Sequence, residues 1–257
     1  MAAPAADWQA RRAAACRGDS FPVLFRMDDW SPTTGCAGLD ALLTGLRLGD
    51  NVVWRTDSLA SYRTYVEALA RGAGPYPVHY FRFAAHAAVL GAGPGVQVHA
   101  LDPEAGFEDF IARVHAVIEP AGARAYHVFD CLSDLAADWY SDTMLGSFFQ
   151  LTCPFVLHVG SIAYFSIRGQ THGARTLDLI QKTAQIVIDL YPHRGALFLH
   201  PIKVDQRHTP SMHLLHQVAG DRLVPVNSSF VRPARPNTAS NSCAISVTVQ
   251  CRPDARL

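Results

Sequence analysis

Along residues 38–226 the apolar positions fall into two rhythms. Short continuous apolar runs read as buried strands, and apolar residues recurring every third or fourth position read as helices. A first helix is expected over Gly38-Leu39-Asp40-Ala41-Leu42-Leu43, closed by Gly45. Asn51-Val52-Val53-Trp54 follows as a strand, entered through Gly49-Asp50, and Ala60 to Arg71 as a helix ended by Gly72. Val78 to Phe83 and Val96 to Leu101 are further strands. Phe107, Phe110, Ile111, Val114 and Ile118 share one face of a helix that Pro120 and Gly122 stop. Ala125 to Phe129 reads as a strand ending in Asp130, Asp138 to Leu151 as a helix, Ile162 to Ile167 as a strand, and Leu177 to Lys182 as a short helix.

From Ala184 the texture changes to short strands separated by turns: Ile186-Val187-Ile188, Ala196-Leu197-Phe198-Leu199, Met212 to Val218 and Leu223 to Val226. Strands alternating with helices before a β-rich end predict an α/β fold, a mostly parallel sheet flanked by helices with C-terminal β-hairpins. On this reading residues 31–230 form the domain. Residues 1–30, with the apolar run Phe21 to Phe25, are an N-terminal arm, and residues 231–257 a disordered tail. No internal repeat is visible.

Composition narrows the partners. The chain has 257 residues, of which 49% are hydrophobic, enough for a substantial core, and only 17% are charged, against about 25% in an average soluble domain. Its 22 basic and 22 acidic side chains cancel, so nothing marks a nucleic-acid surface, which needs a surplus of Lys and Arg. The stretch Cys153 to Ile167 is broken by His158 and is too short to span a bilayer, which takes about 20 residues, and the start lacks the apolar core of a signal peptide. Six cysteines form no CxxC pair or zinc spacing. A cytoplasmic protein with reduced thiols and no membrane partner is the expectation.

Three segments together resemble the RecA/KaiC group of P-loop ATPases. Thr34 to Asp50 is similar to the lead-in "TGxxGLDxLLxGGxxxGD" that precedes the phosphate loop there. Tyr126 to Ser133 resembles the apolar strand ending in a magnesium-site aspartate, here Asp130. Ile186 to Leu190 with Leu199 to Arg207 resembles the C-terminal strand pair with a basic finger, here Lys203 and Arg207. The segments come in the family's order and cover residues 33–226.

The phosphate loop itself is missing. Where the resemblance calls for G-x-x-x-x-G-K-[ST], the chain has Arg55-Thr56-Asp57-Ser58-Leu59-Ala60-Ser61-Tyr62. Arg55 and Ala60 replace the glycines that let backbone N–H groups turn towards a phosphate. Ser61 replaces the lysine and Tyr62 the magnesium-binding hydroxyl residue, while Asp57 adds a repelling negative charge. The acidic residue that activates water after the second strand is also absent: Ala84-Ala85-His86 stands there, and His86 is read as a loop histidine in preference to a base.

A narrower likeness joins Val52 to Trp54, Tyr80 to Ala84 and Phe129 to Asp142. These runs are similar to a segment that precedes the phosphotransferase domains in phosphoenolpyruvate synthase and pyruvate-phosphate dikinase-like proteins. Asp130, Asp134, Asp138 and Asp142 recur every four residues. Because Asp130 ends a strand, an acidic stripe is not expected, and Asp134 and Asp142 are read as helix-start caps. Asp130 keeps a ligand-binding reading, since ligands sit at the carboxyl edge of parallel sheets. Among twelve histidines, His193, His200, His208, His213 and His216 cluster late without metal-ligand spacing. Trp139, Tyr140, Phe148 and Phe149 are read as packing residues, and Ser58, Ser61 and His86 make no hydrolase site.

The resulting expectation is a catalytically degenerate RecA/KaiC-like domain, a pseudo-ATPase that serves as a scaffold, regulatory or assembly module. Its partners would be copies of itself or a phosphotransferase domain or protein of pyruvate metabolism. No catalytic residue, metal or cofactor is expected. The alternatives are an ATPase that binds ATP and Mg2+ through Arg55, Asp130, Lys203 and Arg207, and a fragment of a pyruvate dikinase-like enzyme.

Overall fold

A computed structural model of the chain describes residues 31–226; the arm 1–30 and the tail 231–257 lie outside the described residues. Helix α1 (Ala37–Leu43) leads into strand β1 (Asn51–Arg55), helix α2 (Leu59–Gly72), strands β2 (Val78–Arg82) and β3 (Val96–Ala100), and helix α3 (Phe107–Ala121). Strand β4 (Tyr126–Cys131) is followed by helices α4 (Leu132–Asp138) and α5 (Asp142–Val159), strand β5 (Ile162–Ile167) and helix α6 (Ala174–Thr183). Strands β6 (Ile186–His193), β7 (Ala196–Val204), β8 (His216–Ala219) and β9 (Arg222–Pro225) complete it.

The nine strands form one sheet in the order β3-β2-β4-β5-β1-β6-β7-β8-β9. The pairs from β3 through to β6 are parallel, and β6 to β9 are joined by antiparallel hairpins. The α/β architecture read from the sequence is therefore observed. Successive residues of each strand face opposite sides, and two cores result. Val52, Trp54, Tyr80, Val128, Tyr164 and Ile188 pack with Leu39 and Leu43 of α1 and Tyr62, Val66 and Leu69 of α2. Val53, Phe81, Phe129, Phe165 and Val187 pack with residues of α3, α5 and α6 on the other face. There the rings of Phe81, Phe129 and Phe165 stack across three neighbouring strands at 4.5 and 4.7 Å, an arrangement that adds to the area they bury.

Several element boundaries differ from the sequence reading: β6 continues past Ile188 to His193 and β7 past Leu199 to Val204. The helix expected over 138–151 is α5, which begins only at Asp142 and runs on to Val159 through Pro154; before it, where no helix was expected, α4 starts directly on the end of β4 and stops at Trp139-Tyr140-Ser141. Met212 to Leu215 is turn, and the strand begins only at His216. Phe148 and Phe149 are core residues as expected and Trp139 packs edge-on against Phe107 and Phe110, but Tyr140 is 97% exposed.

Helix α2 leaves β1 on one face of the sheet and α6 leaves β5 on the other. Helices diverging from adjacent parallel strands open a crevice at the carboxyl edge. Arg55, Thr56, Asp57, Gly169, Gln170, Asp189, Leu190 and Tyr191 line a cleft of about 230 Å³ there.

Candidate functional site at the carboxyl edge of the sheet

The turn after β1 is closed on itself. Thr56 N–H continues the ladder to the Ile167 carbonyl at 2.9 Å, and Ser58 N–H donates to Thr56 Oγ1 at 3.1 Å. Ser58 is the N-cap of α2: its Oγ accepts from Ser61 N–H at 3.3 Å and from Ser61 Oγ at 3.1 Å. Tyr62 N–H donates to the Ser58 carbonyl at 3.2 Å. The amides of Thr56, Ser58, Ser61 and Tyr62 thus serve a short strand-to-helix turn and do not face an open cradle. Tyr62 is fully buried, its hydroxyl 3.1 Å from the carbonyls of both Phe129 and Tyr164. A phenol therefore fills the space below the strand ends, and burial first, then the nearby Asp130, keeps it protonated by raising its pKa well above the usual value.

Arg55 turns to Asp189, its partner on β6. Its Nε lies 3.0 Å from Asp189 Oδ1, as an ion pair not aligned for a hydrogen bond, and Tyr191 donates its hydroxyl to the same carboxylate. With Asp57 beside it, the cleft holds two carboxylates for one guanidinium. Its volume also falls short of the roughly 300 Å³ at which ligand pockets begin.

Asp130 is fully buried. Tyr80 donates its hydroxyl to Oδ1, while Oδ2 receives the Arg82 guanidinium and the N–H groups of Phe83 at 2.9 Å and Ala84 at 3.0 Å. Four donors thus converge on this carboxylate, three on Oδ2 and one on Oδ1. His86 closes the same loop. Its Nδ1 lies 2.8 Å from the Ala87 carbonyl and its Nε2 accepts from Cys131 N–H at 3.3 Å, so the neutral ring with Nδ1 protonated satisfies both contacts. Both nitrogens of His86 are thereby occupied by backbone groups.

The other two candidates lie at the opposite edge. Lys203 pairs with Val187 near the start of β6; its Nζ donates to the Ala184 carbonyl at 2.7 Å, closing the end of α6, and pairs with Asp205 at 3.1 Å. Arg207 is buried and binds Asp50, just before β1, through two hydrogen bonds of 2.9 and 2.7 Å, with a third to the Gly45 carbonyl at 2.9 Å. Arg55 and Asp130 share the carboxyl edge with each other but not with Lys203 and Arg207, so the four do not form one site within a chain. Among the described residues, no group of three His, Cys, Asp or Glu side chains is placed to hold a metal ion.

A further cluster at the carboxyl edge escaped the sequence reading. Ser133 Oγ, in the first turn of α4, is 2.6 Å from His172 Nε2, and His172 Nδ1 is 2.6 Å from Asp142 Oδ1. Neither Asp134 nor Asp142 caps its own helix: Ser141 caps α5 through Met144 N–H, while Asp134 pairs with Arg168 at 2.9 Å and Asp142 accepts Gly173 N–H at 2.8 Å. Both carboxylates reach across to the loop after β5, which corrects the capping role expected of them. Burial alone would raise the Asp142 carboxyl, but the Gly173 amide, His172 and Thr176 together hold it below the usual range. The local signal was weak, because Ser133 and His172 are 39 residues apart and meet only through the β4–β5 pairing.

No protein-family model matches the chain, and no curated protein matches it. Among the described residues, no helix is long and apolar enough to cross a membrane.

Proposed function

We propose that the chain is a RecA/KaiC-like domain whose phosphate loop has become structure, and that it works as a nucleotide-independent scaffold, regulatory or assembly module. The observation that carries this reading is the turn Arg55 to Tyr62, where backbone amides, the Ser58 cap and the Tyr62 plug occupy what an anion would need. The strand order, with β1 between β5 and β6 and β4 next to β5, is compatible with that family and supports the resemblance in the motifs. The narrower likeness to phosphoenolpyruvate synthase-type proteins makes a phosphotransferase domain or protein the partner to test, beside a second copy of the chain, in a cytoplasmic setting. Isothermal titration with Mg-ATP and Mg-ADP is expected to give no binding heat at millimolar nucleotide; micromolar affinity for either would overturn the reading in favour of a surviving ATPase. Light scattering on the eluted protein is expected to show an assembly larger than one chain, and a strict monomer at all concentrations would count against the assembly role.

A further inference from the structure

Ser133, His172 and Asp142 are joined in line, and the ring atoms through which they meet fix the direction of proton flow. Asp142 is held as an acceptor by Gly173 N–H at 2.8 Å, so His172 Nδ1 carries the ring proton and donates it to Oδ1 at 2.6 Å. His172 Nε2 is then a free base lone pair, 2.6 Å from Ser133 Oγ. Arg168 N–H donates to that same Oγ at 2.8 Å; one of its lone pairs is thus engaged, and the hydroxyl proton is left to His172. The imidazole is 2% exposed, and its two ring nitrogens face Ser133 and Asp142. The three groups come from three elements, the first turn of α4, the start of α5 and the loop after β5, all at the carboxyl edge of the sheet. That same loop forms a wall of the cleft through Gly169 and Gln170.

We propose that Ser133 is a nucleophile activated by His172 with Asp142 as its positioning residue, and that the site takes small activated acyl compounds, esters or thioesters. Ser133 Oγ bonds to the acyl carbon as its proton passes to His172 Nε2. The carbon–heteroatom bond then breaks and the leaving alcohol or thiol takes the proton from His172. A water molecule, deprotonated by the same nitrogen, releases the carboxylic acid and restores Ser133. This activity does not depend on the nucleotide-independent reading, since none of its residues belongs to the turn 55–62.

The test is covalent labelling of the folded protein with a fluorophosphonate, which serine oxygen attacks at phosphorus with loss of fluoride, followed by peptide mapping. A single adduct on Ser133 is expected, absent after heat unfolding and absent in Ser133→Ala. In His172→Gln, with circular dichroism showing the fold retained, labelling is expected to slow at least about 100-fold, the lower bound for a general base. No adduct on the folded protein, an adduct on another residue, or equal rates in parent and His172→Gln would each overturn the proposal.

Discussion

Asp130 shows how a residue can keep its place in a site and change its work. At the end of a central parallel strand it stands where a ligand-binding carboxylate is expected, yet Tyr80, Arg82, Phe83 and Ala84 direct their donors to it. It anchors the segment after β2. Replacing it with Asn keeps the shape but removes the charge opposite Arg82 and at least one acceptor. Breaking such a buried pair costs about 3–5 kcal/mol. Asp130→Asn is therefore expected to lower the unfolding free energy measured by urea titration by that much; a variant within about 1 kcal/mol of the parent would show that the network carries little of the fold. The sequence pointed to Asp130 because a strand end is a local feature. It could not show the donors that meet it, which need Tyr80 and Arg82 on the neighbouring strand.

At the scale of elements, the motif preceding β1 has a packing origin. Gly35 has φ +75°, and a Cβ there would lie 1.9 Å from the Ala68 carbonyl oxygen of α2. Gly38 would meet the Asp221 carbonyl at 2.4 Å, where its own N–H donates at 3.0 Å. Asp40 ties the entry, accepting Thr34 N–H at 2.7 Å and the Thr33 hydroxyl. Gly35→Ala adds both a strained φ and an overlap with backbone, so it is expected to cost at least about 2 kcal/mol, read as a lower unfolding midpoint with α2 amides exchanging faster. Such turns, and the strands built from continuous apolar runs, were legible because glycine and hydrophobic period act locally. The break between α4 and α5 was not. Leu132-Ser133-Asp134-Leu135 starts a helix straight from the strand without a turn residue, and α5 continues through Pro154 to Val159. Within the chain Lys203 and Arg207 stand apart from Arg55 for a related reason: only the antiparallel return of β7 carries them to the far edge.

For the whole molecule, the fold gathers histidines that the sequence spreads over three strands. His79 pairs with His127 across β2 and β4, and its Nδ1 lies 3.0 Å from His99 Nε2 on β3; the rings stack at 5.2 and 5.3 Å. Both nitrogens of His127 are buried without a hydrogen-bond partner. Burial, reinforced by His79 and His99, pushes its pKa down to about 3, and burial lowers His79 and His99 as well. In the unfolded chain these imidazoles take up protons near pH 6.5. Below that pH the unfolded state binds protons that the folded state refuses, so stability falls as pH falls, by about 1.4 kcal/mol per pH unit for each imidazole kept neutral. The loss starts near pH 6.5 and continues towards pH 3, where His127 itself charges. Asp142, held low in the fold, adds loss of the same sign, but only below the unfolded carboxylate value of about 3.9. Urea midpoints between about pH 7 and pH 4.5 therefore isolate the histidines. His127→Phe keeps an aromatic ring between Phe81 and His79 while removing the group with the greatest refusal. The variant is expected to flatten the slope by roughly one proton's worth, and a slope equal to the parent's would place the acid sensitivity elsewhere in the molecule.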